Sequence, residues 1–348
     1  MTKYKIYVDA SSNLLYSSYY VEGFYTTFGK NNVHFSSKHF KDLSKRDDEW
    51  SYDSYMAVKI VEKHKSYKII IDFGDDVPIR KYAYAWCDVY AKINYNPRIT
   101  GYFDKVHPIA PGFGIKIWNL LQISFFSISN LIKLNLNPQI PLLKHFHNYF
   151  SQLKLHRIET FAESLNSEVN GDYVFFIATL WPHQNCLTGT NLLRQNYMEA
   201  CKDAKVNFEG GFFLPDDAHP QRDQFSHLIF KKRYLLREFI QKTKKSAIVF
   251  NTPAVHNCHG WKLGQFLAMG KAIISTTLEN DLEPELIHGQ HIHFISDVKE
   301  LNAAIIKLLT DDVYRRRLED EAKSYYANFA QPSAVIKSIL QKADIKIN

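Results

Sequence analysis

Three observations predict an α/β fold with two Rossmann-like lobes. The chain has 348 residues, about twice a typical domain, which favours two cores over one. Short apolar runs alternate with helical stretches of roughly 10 to 15 residues, the pattern of βαβ units around a parallel sheet. That alternation restarts after Asn170-Gly171. The lobes are therefore placed at 1–168 and 169–331, with 332–348 as a closing C-terminal helix. At 45% apolar and 23% charged residues, a disordered chain is excluded.

The first lobe opens with YKIYVD (4–9), a strand ending in Asp9-Ala-Ser-Ser-Asn, whose polar residues suit the cap of a following helix. YKIIID (67–72) repeats the arrangement and stops at the turn Asp72-Phe-Gly-Asp75-Asp76. DVYAKIN (88–94) reads as a further strand, and a Pro/Gly-punctuated loop begins at His107. Residues 139–167 read as two helical stretches. In the second lobe DYVFFIATL, starting at Asp172, is a continuous apolar run suited to a strand buried on both faces. A helix over about 188–204, a strand at 227–230, a basic helix at 232–243 and a strand at 247–250 follow. A helix from near Gly260, strands at 271–275 and 291–295 and two C-terminal helices complete the chain.

The 43 Lys and Arg exceed the 36 Asp and Glu by 43 − 36 = 7. Runs such as Lys231-Lys232-Arg233 are short, unlike the dense stripe of a nucleic-acid interface, so no nucleic-acid partner is expected. Cys87, Cys186, Cys201 and Cys258 form no CxxC pair, which gives neither a disulfide framework nor a zinc spacing. With a strand at the very start and no apolar leader before it, a reducing cytoplasm is expected. Residues 117–132 (IWNLLQISFFSISNLI) carry no charge and lie between Lys116 and Lys133. Sixteen residues are short for a bilayer span. The segment reads as a buried or partly exposed helix, or as an amphipathic helix on a membrane surface.

No GxGxxG follows the first strand and no GxxxxGK[ST] occurs, so neither a dinucleotide enzyme nor a P-loop ATPase is supported. The informative segment is FNTPAVHNCHGWKLGQFLAMGKAIISTT (250–277): strand, polar loop, helix, Gly turn, strand. Main-chain N–H groups at the start of that helix, with its positive dipole end, make an anion site suited to a diphosphate. Gly260 removes a Cβ where a phosphate would approach, and Lys262 adds a positive charge.

This segment resembles the donor-binding motif of type-B glycosyltransferases, particularly the group-one, polysaccharide-type family. The residues that carry the likeness are His259-Gly260-Trp261-Lys262-Leu263-Gly264-Gln265 and Leu267-Ala268-Met269-Gly270-Lys271-Ala272-Ile273-Ile274. The resemblance implies a GT-B architecture of two lobes about a central cleft, with the C-terminal helix packing back on the N-terminal lobe. It implies an acceptor-binding N-lobe, a C-lobe holding a nucleotide-diphosphate sugar, and no cofactor or bound metal. The family carries two glutamates separated by seven intervening residues; here Gln265 stands at the second position and no Glu at the first, where Asn257 or, with a shorter loop, His259 falls. Retaining and inverting outcomes both stay open.

On this reading His256, Gly260, Trp261, Lys262, Leu263 and Gln265 meet the donor. Arg194, Lys231 and Lys232 supply charge to the diphosphate, and Thr276 and Glu279 sit at the carboxyl end of the next strand. Asp9, Asp72, His107 and His259 are the candidate catalytic groups, since an inverting transferase needs a base for the acceptor hydroxyl. The expected function is transfer of a sugar to a glycan or lipid-linked acceptor in bacterial surface-polysaccharide or lipopolysaccharide synthesis, with peripheral membrane contact through 116–133. A nucleotide-sugar epimerase and a non-catalytic glycan- or nucleotide-sugar-binding protein are the alternatives.

Overall fold

The computed structural model describes residues 4–46, 51–135, 140–163, 171–214, 216 and 218–346. The chain divides into two compact units. Unit 1 comprises Met1–Ile158, Asp281–Glu283 and Asn328–Asn348; unit 2 comprises Glu159–Asn280 and Pro284–Ala327. The lobe boundary expected at 168/169 lies outside the described residues.

Unit 1 runs β1 (Tyr4–Asp9), α1 (Leu14–Phe28), β2 (Val33–Ser36), β3 (Tyr55–Glu62), β4 (Lys65–Asp72), α2 (Lys81–Trp86), β5 (Val89–Lys92), α3 (Pro97–Thr100), β6 (Val106–Pro108), α4 (Leu120–Lys133) and α5 (Leu142–Phe150). Asn13 caps α1, its side-chain oxygen accepting from the Leu15 N–H. The six strands form one sheet in the order β2-β1-β3-β4-β5-β6. The expected parallel sheet is corrected here to a mixed one, because β3 is antiparallel to both β1 and β4. β3 and β4 are a hairpin closed by the Glu62–Lys65 pair, with Lys63 in the left-handed region at φ 49°. Its inner residues, Met56, Val58, Ile60, Ile69, Ile70 and Ile71, are fully buried, so hydrophobic burial holds the pair at the centre of the sheet.

Unit 2 runs α6 (Glu159–Ala162), β7 (Tyr173–Thr179), α7 (Asn191–Asp203), β8 (Asn207–Phe213), α8 (Leu236–Lys245), β9 (Ile248–Asn251), α9 (Trp261–Ala268), β10 (Ala272–Thr276), β11 (His293–Ile295), α10 (Leu301–Thr310) and α11 (Asp312–Tyr325). All its strand pairs are parallel: β7 with β8, and β9-β10-β11 in a row. Tyr173 accepts from the Ala247 N–H at 2.8 Å, which sets β7 beside β9. Val174, Phe176, Tyr197, Phe250, Ile274 and Leu318 belong to one core between this sheet and its helices. Gly210 lies at φ 135°, and a Cβ there would come 1.8 Å from the Phe176 carbonyl, so β8 can approach β7 only with glycine. The run 227–230, expected as a strand, is instead a 3-10 turn at Ser226–Leu228 with one isolated bridge from Ile229 to Phe212. Four residues between polar loops are too few to build a ladder there.

The final helix, α12 (Pro332–Lys342), belongs to unit 1 and packs on α1. A Cβ on Gly23 of α1 would meet the Pro332 carbonyl oxygen at 2.3 Å, so the two backbones touch. The Tyr19 hydroxyl donates to the Ala330 carbonyl at 2.6 Å. Several of the many aromatics fill interiors: Tyr19, Tyr20, Tyr90, Tyr149, Tyr197 and Tyr325 are all fully buried.

Candidate functional site

The carboxyl ends of β7, β9 and β10 and the start of α9 assemble one polar site in unit 2. Its frame is the loop from β9 to α9. His256 and Asn257 take left-handed φ values of 56° and 58°, which turns the chain back toward α9. Asn185, from the loop after β7, clamps that turn. Its amide donates to the Ala254 carbonyl and to Asn257 Oδ1, both at 2.8 Å, and its Oδ1 accepts from the His256 N–H at 3.2 Å. Asn257 Nδ2 donates to Glu279 at 2.9 Å, and Asn280 Nδ2 donates to the Asn257 carbonyl at 3.1 Å. Gly260 is the N-cap of α9 with φ −72°, an ordinary backbone conformation, and no side chain caps the first turn. A Cβ at Gly260 would only brush Ala254 Cβ at 3.4 Å.

Two cations enter this frame, Arg194 buried and Lys262 half-buried. Arg194, on the inner face of α7, donates from Nε to Thr252 Oγ1 and from Nη1 to the Thr179 carbonyl, both at 3.1 Å. Lys262, in the first turn of α9, donates to the Ile177 carbonyl, with its ammonium 5.2 Å from the centre of the Phe176 ring. Burial pulls Arg194 down to about 10. Burial, and then the positive charge of Arg194, pull Lys262 down to about 7. No carboxylate contributes to either shift, and among the described residues neither cation makes an ion pair. Desolvated charge without a counter-ion is unfavourable in a folded chain, and a bound anion would relieve it. Thr276, at the end of β10, adds a buried hydroxyl oxygen that has no hydrogen-bond partner among the described residues.

The other residues named from the sequence fall into distinct places. Gln265 is buried on α9 and Leu263 is a core residue, while Trp261 is half-buried. His256 is exposed, its ring 4.2 Å from that of His183. His259 is buried, with Nε2 3.0 Å from the Asn280 carbonyl. Lys231 is exposed, and Lys232 pairs with Glu238 at 2.9 Å. Lys232 lines a cavity of about 500 Å³ with Tyr173 and Glu209. Tyr173 is the first residue of β7, so this cavity is at the opposite end of the strand from Thr179 and Arg194. The structure thus brings Arg194, Lys262, Gly260, Thr276 and Glu279 to one edge of the sheet and leaves Lys232 at the other.

In unit 1, Asp9 accepts from the Ser11 N–H at 3.0 Å and pairs with Lys45. Asp72 is fully buried, accepts from the Gly74 N–H at 2.9 Å and from the Tyr90 hydroxyl, and lies 3.1 Å from the Lys92 ammonium off the hydrogen-bonding direction. Both carboxylates hold their turns and are neutralised by lysines. The His107 Nε2 is 2.6 Å from Ser338 Oγ on α12 and its Nδ1 is 3.3 Å from Glu283. Burial lowers its pKa against the opposing pull of Glu283. Sequence reasoning missed Thr252 and Asn185. The signal for Thr252 was a hydroxyl just beyond an apolar strand; Asn185 carried none, since Ala254, His256 and Asn257, which it clamps, lie 69 to 72 residues further along the chain.

Among the described residues no three His, Cys, Asp or Glu side chains gather closely enough to hold a metal ion. None of their helices is long and apolar enough to cross a membrane. No family model and no curated protein sequence matches the chain. It is similar to several solved structures. With the UDP and glucose complex of Anabaena Alr3699/HepE the identity is 12% and the TM-score 0.43, over 76% of this chain and 64% of that one. With a glycosyltransferase from Rickettsia africae ESF-5 the identity is 10% and the TM-score 0.42, over 78% of this chain and 69% of that one. With TarM it is 10% and 0.40, the match spanning 52% of this chain and about a third, 36%, of that one.

Proposed function

We propose that the chain is a glycosyltransferase that takes a sugar from a nucleotide-diphosphate donor bound in unit 2. The observation that supports this best is the pair Arg194, buried, and Lys262, half-buried, two cations beside the N-terminus of α9 that make no ion pair among the described residues. A leaving diphosphate develops negative charge as the glycosidic bond breaks, and preorganised cations and main-chain N–H groups stabilise that charge without a metal. The parallel sheet supports it too, because ligands of such sheets sit outside the carboxyl ends of the strands. In this proposal Gln265 meets the ribose, Thr276 and Glu279 meet sugar or phosphate hydroxyls, and the acceptor binds unit 1. The acceptor is a glycan or lipid-linked glycan of surface-polysaccharide or lipopolysaccharide assembly, met at the inner face of a membrane with peripheral contact through 116–133.

A thermal-shift panel of UDP-, GDP-, CMP- and dTDP-sugars tests this. One donor should stabilise the protein, by about 2.7 kcal/mol at a hundredfold excess over its Kd, and Arg194→Ala should abolish the shift. No response to any nucleotide would sink the proposal. Binding without turnover across a range of acceptors would point to a non-catalytic binding protein, and release of free epimerised sugar to an epimerase.

A further inference from the structure

Helix α4 carries apolar side chains on two faces, one of them exposed. Its inward face carries Ile123, Ser127, Asn130 and the half-buried Phe126, whose ring stacks on Trp118 at 4.3 Å, while Leu121, Phe125, Ile128 and Ile132 are exposed, at 80%, 65%, 54% and 69%. These four follow at intervals of four, three and four residues, so they form a single stripe along the helix. The inward polar groups are satisfied. Asn130 Nδ2 donates to the Tyr149 hydroxyl at 2.7 Å, and His145 Nε2 meets the Ser127 carbonyl at 2.9 Å. Both partners are on α5, which itself exposes Leu143 at 87%. The helix is attached through this mixed inner face and exposes a second, apolar stripe. Isolated exposed leucines need no explanation, but an aligned apolar stripe marks an interaction surface.

The charge around the stripe indicates what covers it. Between Asp104 and Glu159 the chain has no acidic residue over 54 positions, while Lys116, Lys133, Lys154 and Arg157 fall within it; Lys144 of the same stretch pairs with Asp53 at 2.7 Å, and Lys105 donates to the Tyr84 and Cys87 carbonyls. The Lys116 N–H donates to the His156 carbonyl at 2.9 Å, which brings the exposed Lys154 and Arg157 segment beside the entry to α4. A second copy of this chain would set that basic segment against its own image across a two-fold axis, which like charges oppose. An anionic lipid surface complements both features. Fourteen residues make about 21 Å of helix, too short for the roughly 30 Å of a bilayer core but well suited to lying in the interface.

We infer that α4 and α5 dock the protein flat on an anionic membrane, with Leu121, Phe125, Ile128 and Ile132 inserted among the acyl chains and the basic segment on the headgroups. The inference rests on the peripheral contact proposed for 116–133 and is independent of donor binding in unit 2. Co-sedimentation of the full chain with vesicles tests it. Vesicles of phosphatidylcholine containing phosphatidylglycerol should carry the protein down, and phosphatidylcholine alone should not. Leu121→Ser combined with Phe125→Ser should lower the partition coefficient about a hundredfold, since each removes a large inserted side chain. Lys154→Glu combined with Arg157→Glu should lower it about tenfold or more and weaken its salt dependence. Both variants replace exposed side chains, so circular dichroism and nucleotide response should stay unchanged. Failure to bind anionic vesicles, or binding insensitive to the Leu121 and Phe125 changes, overturns the inference. So does a concentration-dependent dimer that those changes abolish in the absence of any vesicle binding.

Discussion

Lys262 and Arg194 are held in a position that ligand-free stability alone would not choose. Replacing Lys262 with Met keeps the aliphatic body and removes the desolvated charge. Lys262→Met should therefore raise ligand-free stability by about 1–2 kcal/mol in urea melts while eliminating the nucleotide-induced shift, a trade between stability and function. A protein that loses stability and keeps its nucleotide response would contradict this. The pH dependence has two opposed slopes. Unfolded, Lys262 titrates near the ordinary value of about 10.4; folded, it titrates at about 7. Between those values the unfolded chain binds more protons, so ligand-free stability should rise as pH goes from 7 towards 10. Lys271, pulled down by burial to about 8, adds to the same rise, and Lys262→Met should remove only part of it. Nucleotide affinity should run the other way, falling above pH 7 as the ammonium is lost, which thermal shifts at pH 6.5 and 9 would show. That Lys262 would be basic and near an anion was readable from its place after Gly260. Its retreat over Phe176 was not, because that depends on β7, some 85 residues away in sequence.

At the scale of elements, legibility followed local pattern. The restart of apolar runs after residue 170 found β7, β9 and β10, since a strand buried on both faces is a plain apolar run. The β3–β4 hairpin was half seen: 67–72 reads as a strand, but Lys59, Glu62, Lys63, His64 and Lys65 interrupt the pattern, and the antiparallel insertion of β3 beside β1 is a long-range pairing. The uncharged segment at 117–132 was visible as a helix, yet which of its faces turns inward was decided by Tyr149 and His145 of α5. The close crossing of α1 and α12 rests on Gly23, which has no local signature. Gly23→Ala should cost about 2–3 kcal/mol, as overpacking against backbone cannot be relieved by a rotamer change. A lower urea midpoint, with earlier proteolytic release of the C-terminal helix, is the expected result. An unchanged midpoint would mean that the crossing has slack.

For the whole molecule, the chain order and the spatial division disagree in one respect: unit 1 needs both ends of the sequence. Besides the Tyr19–Ala330 bond, α12 is joined to unit 1 by His107 with Ser338 at 2.6 Å, and the Tyr4 hydroxyl donates to the Lys346 carbonyl at 2.9 Å. Val335, Ile336, Ile339 and Leu340 are all buried. Burying four such side chains contributes, gross, about 6–12 kcal/mol, of the same order as the whole net stability of a domain at about 5–15 kcal/mol. Unit 2, by contrast, is one stretch of chain apart from Asp281–Glu283. A fragment of residues 159–327 should accordingly unfold cooperatively and keep the nucleotide-induced shift, with Arg194 and Lys262 both inside it. A fragment of residues 1–158 should show no cooperative transition until a peptide of residues 328–348 is added. Cooperative unfolding of 1–158 alone would show that its sheet is self-sufficient and that α12 only covers it. A folded 159–327 that ignores every nucleotide bound by the full chain would place an essential donor contact in unit 1, and the assignment of the donor to unit 2 would then fail.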